Sequence, residues 1–182
     1  MFVQTEITPN PNSLKFLPGK KVSNNGSFEI TKKEELDNDL VRNLLSINGV
    51  EGVFLGSDFL SINKSKNIEW EEIKHIAISL INDFYSTGKE FVIENNLFEE
   101  GDKNQELIDI EKKIMKILDT KIRPAVAKDG GDIKFKAFND GVVKVELQGS
   151  CSGCPSSTMT LKQGVENLLR HYLPEIKEVV AE

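Results

Sequence analysis

The sequence predicts an α+β protein made of two small domains. The chain has 182 residues, more than one small domain needs, and 38% of them are hydrophobic. Apolar residues recur at strand spacing in some segments and at helical spacing in others, whereas residues 89–105 are acidic and show no sustained period. We therefore predict domains at residues 1–88 and 106–182, joined by an acidic linker at residues 89–105.

The first domain is expected to begin with two short strands. Residues 2–7 and 13–17 carry the strand pattern, and Pro9-Asn10-Pro11-Asn12 between them favours a turn. A first helix follows, marked by Leu36, Leu40, Leu44 and Leu45. A strand pair is predicted around residues 56–58, and an apolar stripe predicts a second helix from Trp70 to Tyr85.

The second domain is predicted to have the order helix, strand, strand, helix, strand. Its first helix is interrupted at Pro124 and carries the stripe Leu107, Ile110, Ile114, Ile117 and Leu118. Alternating residues predict two strands joined by a hairpin at residues 139–141, and residues 176–180 predict a last strand. Pro155 opens the second helix, whose inner face is predicted as Thr158, Leu161, Val165, Leu168 and Tyr172.

Charge and hydropathy exclude several kinds of partner. The whole net charge of −6 falls within residues 1–103, and no block of Lys and Arg offers a surface for nucleic acid. No apolar stretch is long enough to cross a membrane, so we expect neither a membrane partner nor secretion. Two cysteines are too few to staple a secreted fold of this size, which favours a reducing compartment.

The cysteine pair Cys151-Ser152-Gly153-Cys154-Pro155 lies between the end of a predicted strand and the start of a predicted helix. Proline at the first helical position places Cys154 near the cap, where unpaired amides stabilise a thiolate. Because Ser152 and Gly153 are small, both sulfurs are expected to face outward. An iron-sulfur cluster with four thiolate ligands would need a pair from each of two chains, and an exposed shared cluster suits transfer.

Two other uses of the pair stay open on these grounds, a thiol-disulfide oxidoreductase and a zinc-binding interaction module. A dithiol enzyme normally carries its pair near the start of its fold, and zinc would need further ligands where only His75 and His171 exist. Asp129-Gly130-Gly131-Asp132 is predicted to be a tight turn, since two carboxylates are too few for a calcium loop. Outside the cysteines we find no nucleophile with a base and no phosphate loop, so we do not expect an enzyme.

Several motifs together resemble the Nfu family, which has an Nfu N-terminal domain followed by a NifU-type C-terminal domain. In the second half they are Ile122-Arg123-Pro124-Ala125, Asp129-Gly130-Gly131-Asp132, Cys151-Ser152-Gly153-Cys154-Pro155-Ser156-Ser157 and Thr160-Leu161-Lys162. In the first half they are Thr8-Pro9-Asn10-Pro11-Asn12-Ser13-Leu14-Lys15-Phe16, Gly49-Val50, Phe54 and Asp58-Phe59.

The resemblance implies a carrier that receives a [4Fe-4S] cluster from assembly machinery and passes it to client apo-enzymes. It implies that Cys151 and Cys154 are the ligands and that a homodimer forms on cluster binding. A bacterial cytoplasm is the expected location, with the mitochondrial matrix as the alternative. Residues 1–103, which comprise the first domain and most of the linker, lack cysteine and carry the net negative charge, so we expect the first domain to recognise partners during delivery.

Overall fold

The computed structural model describes residues 2–24, 26–91, 109–152 and 155–182, and the side chains of all of these except residues 155–157. These residues form an α+β fold of two small domains, each with its own sheet and its own apolar core. The predicted fold class is therefore confirmed.

The first domain is a five-stranded antiparallel sheet with two helices on one face. Its strand order is β1-β2-β5-β4-β3. The strands are β1 (Gln4–Ile7), β2 (Ser13–Leu17), β3 (Phe28–Ile30), β4 (Val50–Leu55) and β5 (Leu60–Lys64). The helices are α1 (Asp39–Leu45) and α2 (Trp70–Ser86).

Strand alternation gives this sheet two different faces. Phe16 and Ile62 point into the core, where α2 buries Ile73, Ala77, Ile81 and Phe84 at helical spacing. Ser61 and Asn63 of β5 alternate with Leu60 and Ile62 and point to the opposite face, and Ser61 is fully buried as well. The second face is buried because the second domain packs against it.

The second domain is a three-stranded sheet covered by helices. Strands β6 and β7 form an antiparallel hairpin, and β8 pairs in parallel with β7 because α5 forms the crossover between them. The strands are β6 (Gly131–Asn139), β7 (Val142–Gly149) and β8 (Glu178–Ala181). The helices are α3 (Asp109–Ile117), a π-helical segment (Leu118–Ile122), α4 (Arg123–Lys128) and α5 (Pro155–Tyr172).

The predicted element order is confirmed, with local differences. Strand β3 was not predicted, because three residues are too few to show a period. Helix α1 begins after Leu36, at Asp39, because the Asn38 side chain caps it by accepting a hydrogen bond from a backbone N–H at 3.1 Å. Leu107 and residues 92–105 of the predicted linker lie outside the described residues.

The inner face of α5 was predicted partly wrong. Tyr172 is 49% exposed, whereas Leu169 and Leu173 are buried beside Val165. Leu168 is partly buried at the edge of the same core, and packing against the sheet selects its neighbour Leu169 for the fully buried position. Among the described residues, no helix combines the length and apolarity that a membrane crossing requires.

Candidate functional site

The cysteine loop leaves the end of β7 through a glycine turn. Gly149, the last residue of β7, has a φ of +68°, a conformation that a side chain would strain. Cys151 follows two residues later, and α5 begins at Pro155 as predicted. The Thr158 hydroxyl, in the first turn of α5, donates to the Cys151 carbonyl at 3.2 Å. The loop is thus fixed to both of the elements that flank it.

The turn at residues 129–132 lies directly against the cysteine loop. Gly131 pairs with Gly149 across the β6–β7 hairpin, and the Ser150 N–H donates to the Gly130 carbonyl at 3.2 Å. A Cβ atom on Gly131 would lie 2.7 Å from the Cys151 Sγ and 2.5 Å from the Gln148 carbonyl oxygen. The predicted tight turn is confirmed, and glycine there allows the two motifs to pack closely.

Cys151 is buried, which contradicts the prediction that its sulfur faces outward. The residue is 7% exposed and belongs to the apolar core of the second domain. Burial raises the pKa of its thiol to about 11, a hydrogen bond from Ser150 opposes the shift, and the carboxylates of Asp129 and Asp132 add to it. At neutral pH this thiol is protonated. Cys154, the second predicted ligand, lies outside the described residues.

An ion pair fixes the far side of the glycine turn. The Arg123 guanidinium donates from Nε and Nη2 to the two carboxylate oxygens of Asp132 at 2.9 and 2.8 Å. The Ser27 hydroxyl and the Ile133 N–H also donate to this carboxylate. Although burial by itself would raise the pKa of Asp132, the hydrogen bonds from Arg123 and Ser27 hold it below its ordinary value.

A cleft of about 510 Å³ lies beside Cys151. Its lining is mainly apolar and includes Ile122, Val126 and Leu161 of the second domain together with Pro9 of the first. The sulfur therefore lies at a place where the two domains meet.

Side chains of the first domain bind the backbone of the cysteine loop. The Asn10 amide donates to the carbonyls of Ser150 and Ser152 at 3.1 and 3.4 Å. The Ser61 hydroxyl donates to the Gly130 carbonyl at 2.7 Å, and the Asn63 amide donates to the Gly149 carbonyl at 3.3 Å. The sequence suggested only a turn for Asn10 and a strand pair around residues 56–58 near the other two, because partners about 70 to 140 positions away leave no local pattern.

Glu29 of strand β3 completes this contact from the other side. Its carboxylate accepts a hydrogen bond from the Ser152 hydroxyl at 3.2 Å. Burial raises the pKa of Glu29, and that hydrogen bond opposes the shift without cancelling it. The first domain therefore holds the residues on both sides of Cys151.

Among the described residues, no group of three or more histidine, cysteine, aspartate and glutamate side chains could hold a metal ion. His75 and His171 are both exposed and belong to different domains. Of the two predicted ligands, the described part of the chain contains Cys151 alone.

Fold and site together define a two-domain α+β protein whose second domain carries a thiol loop between a strand and a helix. The family model described as "NifU-like domain" matches residues 114–180. The one described as "Scaffold protein Nfu/NifU N terminal" matches residues 3–88. The chain belongs to the Nfu/NifU family, as its motifs predicted.

Relatives match almost the whole chain. "NifU-like protein 4, mitochondrial" of Arabidopsis thaliana is 43% identical over 100% of this chain and 66% of its own length. "NFU1 iron-sulfur cluster scaffold homolog, mitochondrial" of Homo sapiens is 41% identical over 98% of this chain and 71% of its own length. The chain thus spans about two thirds of the length of these relatives. A solution structure of a NifU-like protein from Saccharomyces cerevisiae is 29% identical over 51% of this chain and 85% of its own, with a TM-score of 0.46.

Proposed function

We propose that this protein is an iron-sulfur cluster carrier, which binds a [4Fe-4S] cluster and transfers it to client apoproteins. The observation that carries the proposal is the cysteine pair on the loop between β7 and α5 of a NifU-like domain. The name of the human relative, an iron-sulfur cluster scaffold homolog, supports the same function. The cluster is the cargo of this protein, and ligand exchange is its chemistry.

Cys151 and Cys154 are the proposed ligands, and two chains share one cluster. A [4Fe-4S] cluster is held by four thiolates, and one chain supplies two. Binding a cluster therefore joins two chains into a homodimer. The fit is one of donor chemistry, since thiolates are the ligands that iron-sulfur clusters take.

Anaerobic reconstitution with ferrous iron and sulfide tests the proposal. We expect about four irons for every two chains and a doubled mass when the cluster is present. A monomer that holds a complete cluster would contradict the sharing of ligands. Failure to bind iron, combined with catalytic turnover of a dithiol substrate, would favour the oxidoreductase instead, and stoichiometric zinc would favour the interaction module.

Delivery is the proposed role of the first domain, and the proposed boundaries are residues 1–88 and 106–182. Removing residues 1–88 should slow transfer to at least one client apo-enzyme while leaving cluster binding intact. Equal transfer rates to every client would refute this role. Limited proteolysis between residues 89 and 105 tests the boundaries.

The mitochondrial matrix is the location that we propose, because the relatives above are named as mitochondrial. These names favour the alternative from the sequence analysis over the bacterial cytoplasm. Fractionation of the source cells, with the protein followed by antibody, tests the location.

A further inference from the structure

The strongest unexplained feature is the way in which Asn10 of the first domain holds the loop around Cys151. Asn10 is 5% exposed, and its amide nitrogen contacts two carbonyls, one on each side of the cysteine. Its side-chain oxygen accepts the Asn12 N–H at 2.9 Å, which fixes the orientation of the amide group. The oxygen of the Asn10 amide group therefore binds the turn to which Asn10 belongs, and the nitrogen binds the second domain.

The neighbouring contacts have the same character. Ser61 and Asn63 also donate to main-chain carbonyls, those of Gly130 and Gly149. The acceptors of Asn10, Ser61 and Asn63 in the second domain are all backbone, so these three residues recognise the path of the two turns and not particular side chains. Such recognition holds only while the loop keeps this path.

The held conformation is unsuited to a cluster shared between two chains. The Cys151 side chain is buried, and Pro9 of the first domain lines the same cleft as the sulfur. A second chain can contribute ligands to the same cluster only if this sulfur reaches a surface that the second chain can approach. A change in the path of the loop would bring the sulfur to such a surface, and it would break the Asn10 contacts to the Ser150 and Ser152 carbonyls.

We propose that Asn10 is a positioning residue that keeps the cysteine loop closed in the cluster-free protein, and that the first domain releases the loop when a cluster binds. This inference rests on the proposed carrier function. It gives the first domain a role in acquiring the cluster, whereas the sequence indicated only partner recognition. It also explains why a Pro-Asn-Pro-Asn turn in the first domain is built against residues 150–152.

Asn10→Asp is the most selective test. Aspartate keeps the oxygen that accepts the Asn12 N–H, but it replaces the donating amide with a second oxygen that faces two carbonyls. In the full-length chain carrying Cys154→Ser, so that Cys151 is the only thiol, we expect this variant to raise the rate of Cys151 alkylation by iodoacetamide about tenfold. Loss of one or two buried hydrogen bonds has an effect of that size.

Asn12→Asp is the matched control. It makes the same change of charge two residues away, and its side-chain oxygen accepts from Lys64 within the first domain. We expect an alkylation rate equal to that of the parent. Asn63→Asp is a second test variant, because it removes another donor to the loop. The fluorescence of Trp70 reports whether the first domain is folded, and Asn63→Asp replaces Asn10→Asp if the latter reduces that fluorescence.

The outcomes separate the inference from the proposed function. A parent-like alkylation rate in both Asn10→Asp and Asn63→Asp overturns the inference. An alkylation rate in Asn12→Asp that rises as much as in Asn10→Asp also overturns it, because it indicates a general loosening of the fold. With both cysteines present, Asn10→Asp should also take up iron and sulfide faster than the parent, and a slower uptake overturns the link to cluster binding. If the parent itself binds no cluster, the carrier function fails, while the alkylation result still reports whether the loop is held.

Discussion

Replacing Gly131 with alanine places a methyl group where the glycine turn and the cysteine loop meet. Its Cβ would lie 2.5 Å from the Gln148 carbonyl oxygen and 2.7 Å from the Cys151 Sγ. The carbonyl belongs to the backbone of β7, so the overlap cannot be relieved by a side-chain rotation. Overpacking of this kind costs about 1–3 kcal/mol, and we expect a loss of unfolding free energy of about 2–3 kcal/mol here, because two neighbours are too close at once.

Gly164→Ala is the matched control in the same domain. Gly164 lies in the interior of α5, is exposed, and would bring its Cβ within 4 Å of no other group. Because alanine forms helix better than glycine, this variant should gain about 0.5–1 kcal/mol. The change from glycine to alanine is thus expected to lower the unfolding free energy at position 131 and to raise it at position 164.

Urea unfolding followed by far-UV circular dichroism measures both variants. With an m-value of about 1–2 kcal/mol/M, the midpoint should fall by about 1–3 M for Gly131→Ala and rise by less than about 1 M for Gly164→Ala. An unfolding free energy for Gly131→Ala within about 0.5 kcal/mol of the parent would refute the argument. It would mean that the two turns are free to move apart and that the cysteine loop is not held against Gly131.

Three further predictions concern the site. Cys151→Ser and Cys154→Ser should each abolish the stable shared cluster and its dimer, measured by iron content and mass. Both variants should stay folded without metal, and Cys151→Ser should lower the unfolding free energy by about 1 kcal/mol because Cys151 is buried. Unfolding of the metal-free chain would indicate a structural metal site. Asp132→Asn should lower the unfolding free energy by about 2–3 kcal/mol, whereas the exposed Asp119→Asn, which loses a bond to the same arginine, should lower it by about 0.5 kcal/mol or less. Because the folded pKa of Asp132 is depressed, the difference between the variants should be present above pH 3.8 and disappear as the pH falls below that value. Equal effects of the two variants would contradict this prediction. Glu29→Gln should raise the unfolding free energy at pH 7, because a raised folded pKa means that the charged carboxylate destabilises the fold. This gain should vanish below pH 4.5, and a gain that persists there would show a different cause.

The family could be identified from the sequence because its motifs are short and contiguous. The glycine turn at residues 129–132 and the cysteine pair at residues 151–154 each consist of neighbouring residues, so their residue types and spacing are visible directly. The strands and helices were predictable for a similar reason, since the period of apolar residues follows from local backbone geometry. The turn, the hairpin at residues 139–141 and the interruption before Pro124 were all found in the structure.

Local patterns failed where neighbouring positions differ little in sequence. The period of α5 allowed either Leu168 and Tyr172 or Leu169 and Leu173 to face inward. Contact with the sheet buried the second pair, left Leu168 at the edge of the core and exposed Tyr172. Strand β3 escaped prediction because its three residues gain their conformation from pairing with β4.

By itself the sequence determined which functional groups this protein has: two thiols on a turn between a strand and a helix, and an acidic first domain. It also determined the apolar residues at strand and helix spacing that form the two cores. Only the tertiary structure decided how those thiols are presented. Cys151 is buried, and Asn10 and Glu29 hold the loop from a domain more than 100 residues away in the chain. Burial and long-range hydrogen bonds depend on which surfaces meet, and no pattern within a single segment contains that information.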